Sequence, residues 1–560
     1  MSIGTQPQWL SEVNQALTDL DRSAPLLARV SGRQRAALAR ACLVALNSSA
    51  DEWTRITTAA KGLDEDSPWR GEERVIGPMA VARYLRLIAA SLEAVAESGA
   101  PRLPGPAAVD AQGRVRVPVL PTKGLFDGVA FKGFRAHVVM QPGIEKRDLG
   151  SHLAASLAPP EPGVALVLGA GNVSSIAAVD ALDQVLHHGR ATLVKLHPHF
   201  SSLRNSMARA LAPLVERGFL RVVAGDAEIG AYAAGDDRVT LVAVTGSSST
   251  FARIVWGDEG EMESRRSSGR PVLKKPVLAE RGNVTPWIVV PGEWSDRDLQ
   301  FQAENLAGSI VSNGSFNCVC PKVIVTSSNW PQRERFLELL RTAVATVPPR
   351  HAFYRDAIQT YVELVGEPAG AGTGRLPWTI LFDVEPDERP ELFERENFTT
   401  VTAETCLDEQ DAAAFLDAAT RFVNERVAGT LAVTVVVSPR QRRQQEVAEA
   451  VRRAERDLRY GTVCINQFPG LAYLMMSTPW GGFPGATLDA PESGTGFVHN
   501  TYMLEGIEKT VFEGPFRITP KPLWFPSNRN APAIAGALTD LYLHPSARRL
   551  PRLLVAASRA

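Results

Sequence analysis

The chain has little cysteine, no surplus of charge of either sign and no long apolar run, and each shortage removes a class of protein. Five cysteines, Cys42, Cys318, Cys320, Cys406 and Cys464, are odd in number and widely scattered, which argues against a disulfide framework and for a reducing compartment. Cys318-x-Cys320 has no second cysteine or histidine cluster at ligand spacing, so no metal site is assigned. Lys+Arg 60 against Asp+Glu 61 leaves a formal net charge of −1; no global field draws the protein to nucleic acid or to an anionic membrane. No stretch reaches the roughly 18 apolar residues of a spanning helix. The start, Met1 to Gln8, has neither a basic n-region nor an apolar h-region, so no signal peptide is read there. A cytoplasmic protein with small-molecule or protein partners is expected.

What is present is an ordinary globular composition, 45% hydrophobic and 22% charged, in 560 residues, a length that suggests about three or four structural units. Residues from about 8 to 100 carry helical spacing, as in Gln34–Leu46 and Met79–Ala96, and read as a helical cover rather than a site. Pro101–Pro162 is rich in Pro and Gly, with alternating runs Arg114–Leu120 and Ala136–Met140 that predict hairpins. From Gly163 strands and helices alternate: strands at Val164–Leu168, Ala191–Leu196, Leu220–Ala224 and Val239–Val244, helices between them. Four parallel strands with intervening helices predict an open α/β sheet that binds ligand at its strand C-termini. Two strand ends are chemically loaded. Gly169-Ala-Gly171-Asn172 opens a helix whose free N–H groups suit negative charge, and Gly246-Ser247-Ser-Ser-Thr250 suits a pyrophosphate. Neither carries the third Gly of a dinucleotide fingerprint.

A second α/β unit is read from about Pro276, with Glu280 at the end of the apolar run Val277-Leu-Ala and a helix at Asp296–Val311. That helix leads into Ser312-Asn-Gly-Ser-Phe-Asn-Cys318-Val-Cys-Pro-Lys and the strand at Lys322–Thr326. A cysteine on a short turn between a helix and a strand is held rigidly with its sulfur presented. That placement suits a nucleophile, which needs a lowered pKa or an adjacent base, and equally a small buried thiol.

Here the order of parts resembles the aldehyde dehydrogenase superfamily, over roughly residues 25–512. Glu280-Arg-Gly282-Asn-Val-Thr-Pro286 is similar to the family's Glu-Leu-Gly-Gly-x-x-Pro. Asn313 to Cys318, then Pro321, is similar to Asn-x-Gly-Gln-x-Cys-x-x-Pro, with Ser315 and Phe316 in place of Gly and Gln. Asn172-Val173, Lys195, Gly246-Ser247, Glu396-Asn397-Phe398, Gly461 to Asn466, and Pro479-Trp480-Gly481-Gly482-Phe483 resemble further family motifs in the family's order. The resemblance implies an α/β fold of the aldehyde dehydrogenase type. In it, residues 1–278 carry the N-terminal helices and a Rossmann-like NAD(P)-binding domain, with an oligomerisation hairpin within about 110–162. Residues 279–480 form a catalytic α/β domain, and 481–560 a C-terminal return segment and tail.

By the same resemblance, Cys318 is the nucleophile, Asn172 an oxyanion donor and Glu280 the general base for the deacylating water, a role that a carboxylate near an apolar strand end fits through a raised pKa. Lys195 is placed for the adenosine ribose, Gly246 and Ser247 for the pyrophosphate, Glu396 for the nicotinamide ribose and Phe398 beside the nicotinamide. The cofactor is NAD or NADP; Pro198 stands where the family often has a ribose-binding Glu, and His197 or His199 could assist a 2′-phosphate. The implied reaction is NAD(P)-dependent oxidation of an aldehyde to a carboxylic acid through a cysteine thioester. A CoA-acylating variant of it and a non-catalytic scaffold of the same fold are the alternatives. Similar enzymes are homodimers or homotetramers whose late strands pair across subunits. Cys320 is read as a packing or resolving thiol, and the basic helical tail beyond about Pro515 as a cap on a neighbouring subunit or a surface element. Phe316, Trp480 and Phe468 suggest an apolar or aromatic substrate.

Overall fold

A computed structural model describes residues 8–149, 161–354, 356–367 and 373–560. The extreme N-terminus read above and the end of the expected hairpin segment lie outside these residues. Two sheets organise the chain. The first has five parallel strands in the order Leu220–Ala224, Ala191–Leu196, Val164–Leu168, Val239–Thr245, Val277–Glu280. Its central strand, Val-Ala-Leu-Val-Leu, is buried at every position, as a parallel sheet covered on both faces requires. The chain runs outward from Val164 to Ala224 and returns beside its starting strand at Val239, so the switch in direction falls between Val164–Leu168 and Val239–Thr245. Such a switch opens a crevice at the strand C-termini.

The strand Val277–Glu280 was expected to open the second unit. Instead it is the fifth strand of the first sheet, pairing in parallel with Val239–Thr245 so that Thr245 lies opposite Glu280. Its apolar sequence fits either sheet, and long-range pairing decided between them.

The second sheet has ten strands. Seven, from Ile507–Glu513 through Thr462–Ile465, Ala432–Val436, Pro286–Val289, Val323–Ser327 and Val401–Leu407 to Thr379–Leu381, pair in parallel. The predicted hairpin strands, Val115–Leu120 and Arg135–Met140, add to it antiparallel. The late strand Ile507–Glu513 is therefore satisfied on both sides within the chain, by Thr462–Ile465 and by Arg135–Met140. Within the chain it has no free edge.

The N-terminal helices, the first sheet and the tail share one apolar core. The tail helix Ala531–Leu543 packs on the helical run 70–98 of its own chain, where Gly71 leaves no room for a Cβ beside Pro532 (2.9 Å). At the centre of that contact Arg83 is fully buried. It donates to Asp127 Oδ1 (2.7 Å) and Oδ2 (2.8 Å), to the Tyr542 hydroxyl (2.7 Å) and to the Met475 carbonyl (2.6 Å). The tail is thus part of the fold. Run 70–98 is also the one helical stretch, among the described residues, long and apolar enough to cross a membrane, but 83% of its apolar window is buried inside the protein.

Candidate active site

The nucleophile turn is built by the end of one helix and three left-handed residues. Asp296–Val311 begins with a capping box between Ser295 and Asp298 and ends at Ser312. Asn313 (φ 53°), Gly314 (φ 67°) and Ser315 (φ 67°) then reverse the chain, a conformation that costs a non-glycine residue free energy unless its surroundings hold it. Asn313 is held from every side. Its amide nitrogen donates to the carbonyls of Asn172 (3.0 Å) and Phe316 (2.8 Å), and its Oδ1 accepts from Lys61 Nζ (2.6 Å). Lys61 in turn pairs with Glu73 Oε1 at 2.5 Å, both side chains fully buried. The N-terminal helices, expected only to cover the fold, therefore pin the turn that carries Cys318. Lys61 and Glu73, far from the turn in sequence, do this, and no local pattern announced them.

Cys318 is half-buried, with its Sγ 3.8 Å from Glu280 Oε1, while Thr285 Oγ1 donates to the Cys318 carbonyl (2.9 Å). Burial, reinforced by the charges of Glu280 and Glu396, pushes the Cys318 thiol well above its ordinary range. The resting group is a thiol with a carboxylate beside it. Burial likewise raises Glu280 to about 7, against the lowering effect of its hydrogen bonds with Trp480 and Cys318. The Trp480 indole donates to Glu280 Oε1 at 3.0 Å. Trp480, read from sequence as a pocket wall, is instead a partner of the carboxylate. The adjacent Arg281 turns away from Glu280: its Nη1 donates to the Glu492 carbonyl and its guanidinium lies over Phe251. Residues 493–495 lie against this strand end, with Arg281 N donating to Ser493 O and Thr495 N to Ala279 O, both at 2.9 Å.

Cys320 points elsewhere. It is fully buried, its Sγ lies 3.3 Å from the Ser312 carbonyl, and burial raises its thiol to about 12, which is the setting of a packing residue. Asn172 is buried and joined to the nucleophile turn through Asn313. The turn before it differs from the expected anion cradle. The helix starts only at Ile176, a Cβ on Gly171 would lie 2.3 Å from His197 Nδ1, and the Tyr354 hydroxyl meets the Gly171 backbone.

Glu396 is packed on Gly282, where a Cβ would come within 2.0 Å of its Oε2, and it accepts from Asn283 N (3.3 Å). Burial raises it to about 7, partly opposed by Asn283, Lys322 and Arg281. Phe398 stands edge-on to Tyr354 (4.9 Å between ring centres), and Phe316 packs edge-on to Phe353 (4.7 Å). His199 stacks on Phe353 (5.0 Å). Burial lowers both His197 and His199 to about 4, so neither carries the charge that would attract a 2′-phosphate. Lys195 is the penultimate residue of the strand Ala191–Leu196, its own pKa lowered by burial with Asp226 nearby as a partial counterweight. On the other side of the switch point, Ser247 caps the helix Ser248–Trp256, accepting from Thr250 N (3.2 Å), with the Ser249 and Thr250 hydroxyls within 2.9 and 3.0 Å. This turn is open to solvent, and Gly246 N donates to the Glu280 carbonyl (3.1 Å). The hydroxyl-lined turn is thereby tied to the strand end that carries the carboxylate.

Comparison with known proteins places this geometry in context. Residues 137–360 match the model of the aldehyde dehydrogenase family, a segment that includes Asn172, Lys195, Ser247, Glu280 and Cys318. A comparison with curated protein sequences found no match. Among solved structures, the chain is similar to gamma-glutamyl-gamma-aminobutyraldehyde dehydrogenase from Burkholderia cenocepacia J2315 (TM-score 0.60, 19% identity, 90% of this chain and 89% of that one). It is also similar to an indole-3-acetaldehyde dehydrogenase complexed with NAD+ (0.58, 17%, 90% and 89%) and to an E. coli NADP-dependent enzyme (0.55, 18%, 90% and 90%). At these identities the likeness is one of fold.

Proposed function

We propose that the chain is a divergent member of the aldehyde dehydrogenase superfamily, a reading supported by its fold and by the match over residues 137–360, and that it oxidises an aldehyde to a carboxylic acid with NAD or NADP through a covalent intermediate on Cys318. The observation that carries the reading is the 3.8 Å approach of the Cys318 sulfur to a buried carboxyl that titrates near neutrality. A thiol needs a base before it attacks carbonyl carbon, and Glu280 is the group beside it. As the thiolate forms, Glu280 takes the proton; as the tetrahedral oxyanion develops, Asn172 and the Cys318 backbone N–H are its candidate donors. Glu280 gives that proton up to solvent before deacylation; after hydride leaves, the thioester is attacked by water whose proton passes to the ionised Glu280, and the C–S bond breaks to return the thiolate. A base near 7 suits both proton transfers.

The residues fit a nicotinamide dinucleotide at its phosphates and its reactive end. The open turn at Gly246 and Ser247 presents hydroxyls and a helix N-terminus to a pyrophosphate, Lys195 stands at the end of a strand on the other side of the central strand Val164–Leu168, and Glu396 and Phe398 lie on the Cys318 side of the crevice. When bound, NAD(P) supplies the hydride acceptor. The neutral, inward-turned His197 and His199 support NAD over NADP. Glu280, buried beside the nucleophile, supports hydrolysis of the thioester over transfer to coenzyme A.

The test is formation of reduced nicotinamide from a panel of aliphatic and aromatic aldehydes, with NAD or NADP, beside Cys318→Ala. Turnover without coenzyme A that is lost in the variant is the expected result. Turnover only with coenzyme A removes the role of Glu280, and cofactor binding without turnover on any aldehyde leaves a scaffold of this fold.

A further inference from the structure

Two groups among the described residues donate to the side chain of Glu280, and both reach the same oxygen. The Trp480 indole Nε1 lies 3.0 Å from Oε1, and the Cys318 sulfur 3.8 Å from that atom. The backbones on either side of the indole bond are clamped. That of Glu280 pairs with Thr245 in the first sheet and bridges to Gly494, and its carbonyl accepts from Gly246 N (3.1 Å). Trp480 is buried and pairs with Val498 in a short antiparallel ladder, while the Thr510 hydroxyl holds the carbonyl of the preceding Pro479 (3.1 Å). A Cβ on Gly461 would strike the Gly481 carbonyl, so this ladder packs without slack on the chain entering the strand Thr462–Ile465. The indole itself stands edge-on to Tyr473 (5.6 Å, 85°), whose hydroxyl reaches that of Ser175 (3.3 Å).

Between these fixed backbones the part free to move is the glutamate side chain, which has three torsions of its own. Its contact with the thiol is long, and a small rotation would lose it; a donor at 3.0 Å on the same oxygen opposes that rotation. We propose that Trp480 is the positioning residue of the base: its indole N–H holds Oε1 of Glu280 against the Cys318 thiol and favours the ionised carboxylate that takes the thiol proton. The inference rests on the reading of Cys318 as nucleophile and Glu280 as its base. In the step it serves, the S–H bond breaks, the electron pair stays on sulfur and the proton lands on the carboxylate. The indole keeps its own proton throughout and acts only through Glu280.

The electrostatic surroundings leave this task to the indole. The titratable groups around Glu280 are Cys318, Asp180, Glu396 and Tyr473, and burial is the chief cause that raises every one of them. None supplies a positive charge. Burial likewise raises Glu280, and the hydrogen bonds of Trp480 and Cys318 are what oppose it. Loss of the indole N–H therefore moves the carboxyl further up, so that it ionises only at higher pH. A hydrogen bond to a charged group is worth about one pKa unit or more. For a base that titrates near 7, a rise of about one unit cuts the ionised fraction at pH 7 about fivefold and leaves it within about twofold at pH 9.

The experiment follows alkylation of Cys318 by iodoacetamide in the full chain between pH 5.5 and 9.5, with no cofactor present. Trp480→Phe keeps an aromatic ring and removes the N–H; the midpoint of its rate profile is expected about one unit above that of the wild type. Trp480→His carries Nε2 where the five-membered ring of the indole carries Nε1, and is expected to bring the midpoint back to the wild-type value or below it. An unmoved midpoint in Trp480→Phe would overturn the proposal, with or without a loss of folding stability, since a merely structural role leaves the pH profile alone. A rise that Trp480→His shares in full would overturn it too, by assigning the effect to lost packing. Alkylation that persists in Cys318→Ala, or a limb near pH 7 that persists in Glu280→Gln, would instead sink the reading of that pair and the positioning role with it. Should both Trp480 variants fail to fold, the wild-type chain labelled with 5-fluorotryptophan decides. One of its ten tryptophan fluorine resonances is expected to titrate near pH 7 and to lie flat in Glu280→Gln; ten flat resonances in the wild type would overturn the coupling.

Discussion

Glu280→Gln separates what this carboxylate does for the reaction from what it costs the fold. Burial moves its pKa from 4.5 to about 7. Between those values the unfolded chain has lost a proton that the native state retains, so native stability falls as pH rises through the window. Below 4.5 both states hold the proton and the penalty vanishes; above 7 it is complete. At about 1.4 kcal/mol per pKa unit the full penalty is about 3 kcal/mol. Glutamine is uncharged at every pH and still offers an oxygen to the Trp480 indole. The variant is therefore expected to exceed the wild type in stability by about 3 kcal/mol at pH 8.5 and by less than about 1 kcal/mol at pH 5, while deacylation falls by roughly 100-fold or more. Urea unfolding followed by tryptophan fluorescence at the two pH values measures the difference. An offset of equal size at both would refute the claim that a buried, half-ionised carboxyl at this strand end is what burdens the fold.

Three further outcomes follow from named contacts. Lys61→Met leaves Glu73 buried without its counter-charge and releases Asn313 Oδ1, so unfolding should become easier by about 3–5 kcal/mol and alkylation of Cys318 by iodoacetamide should change rate; an unaltered denaturation midpoint would count against the pinned turn. Gly282→Ala drives a methyl into the Glu396 carboxylate, and should raise the KM for NAD(P) more than that for aldehyde; equal effects would mean that Glu396 does not hold the cofactor. Arg83→Leu isolates Asp127 under the tail helix and should cost about 3–5 kcal/mol, read by thermal unfolding; a surface-docked tail would show no change.

What the sequence determined by itself was whatever local period and local chemistry encode. The helix Asp296–Val311 was legible from its apolar spacing and ends where predicted, and buried parallel strands such as Val164–Leu168 were legible as unbroken apolar runs. Cys318, Glu280, Asn172, Ser247 and Glu396 were nameable through the motifs that resemble those of the aldehyde dehydrogenase family. The strands Val401–Leu407 and Ile507–Glu513 were not read, since Thr, Glu and Lys interrupt their apolar pattern and only their neighbours bury them.

Tertiary structure alone decided who meets whom. Lys61 reaches Asn313 across 252 positions, and Trp480 reaches Glu280 across 200. Asp180 and His499 face each other only because a helix of the first sheet and the C-terminal return segment close on the same strand end. Such meetings leave no periodic trace, because a buried polar residue looks like an exposed one until the fold removes its water. Burial also sets the chemistry. The same carboxyl that would titrate near 4.5 in solution titrates near 7 beside Cys318, because the surrounding chain excludes the solvent that would stabilise its charge.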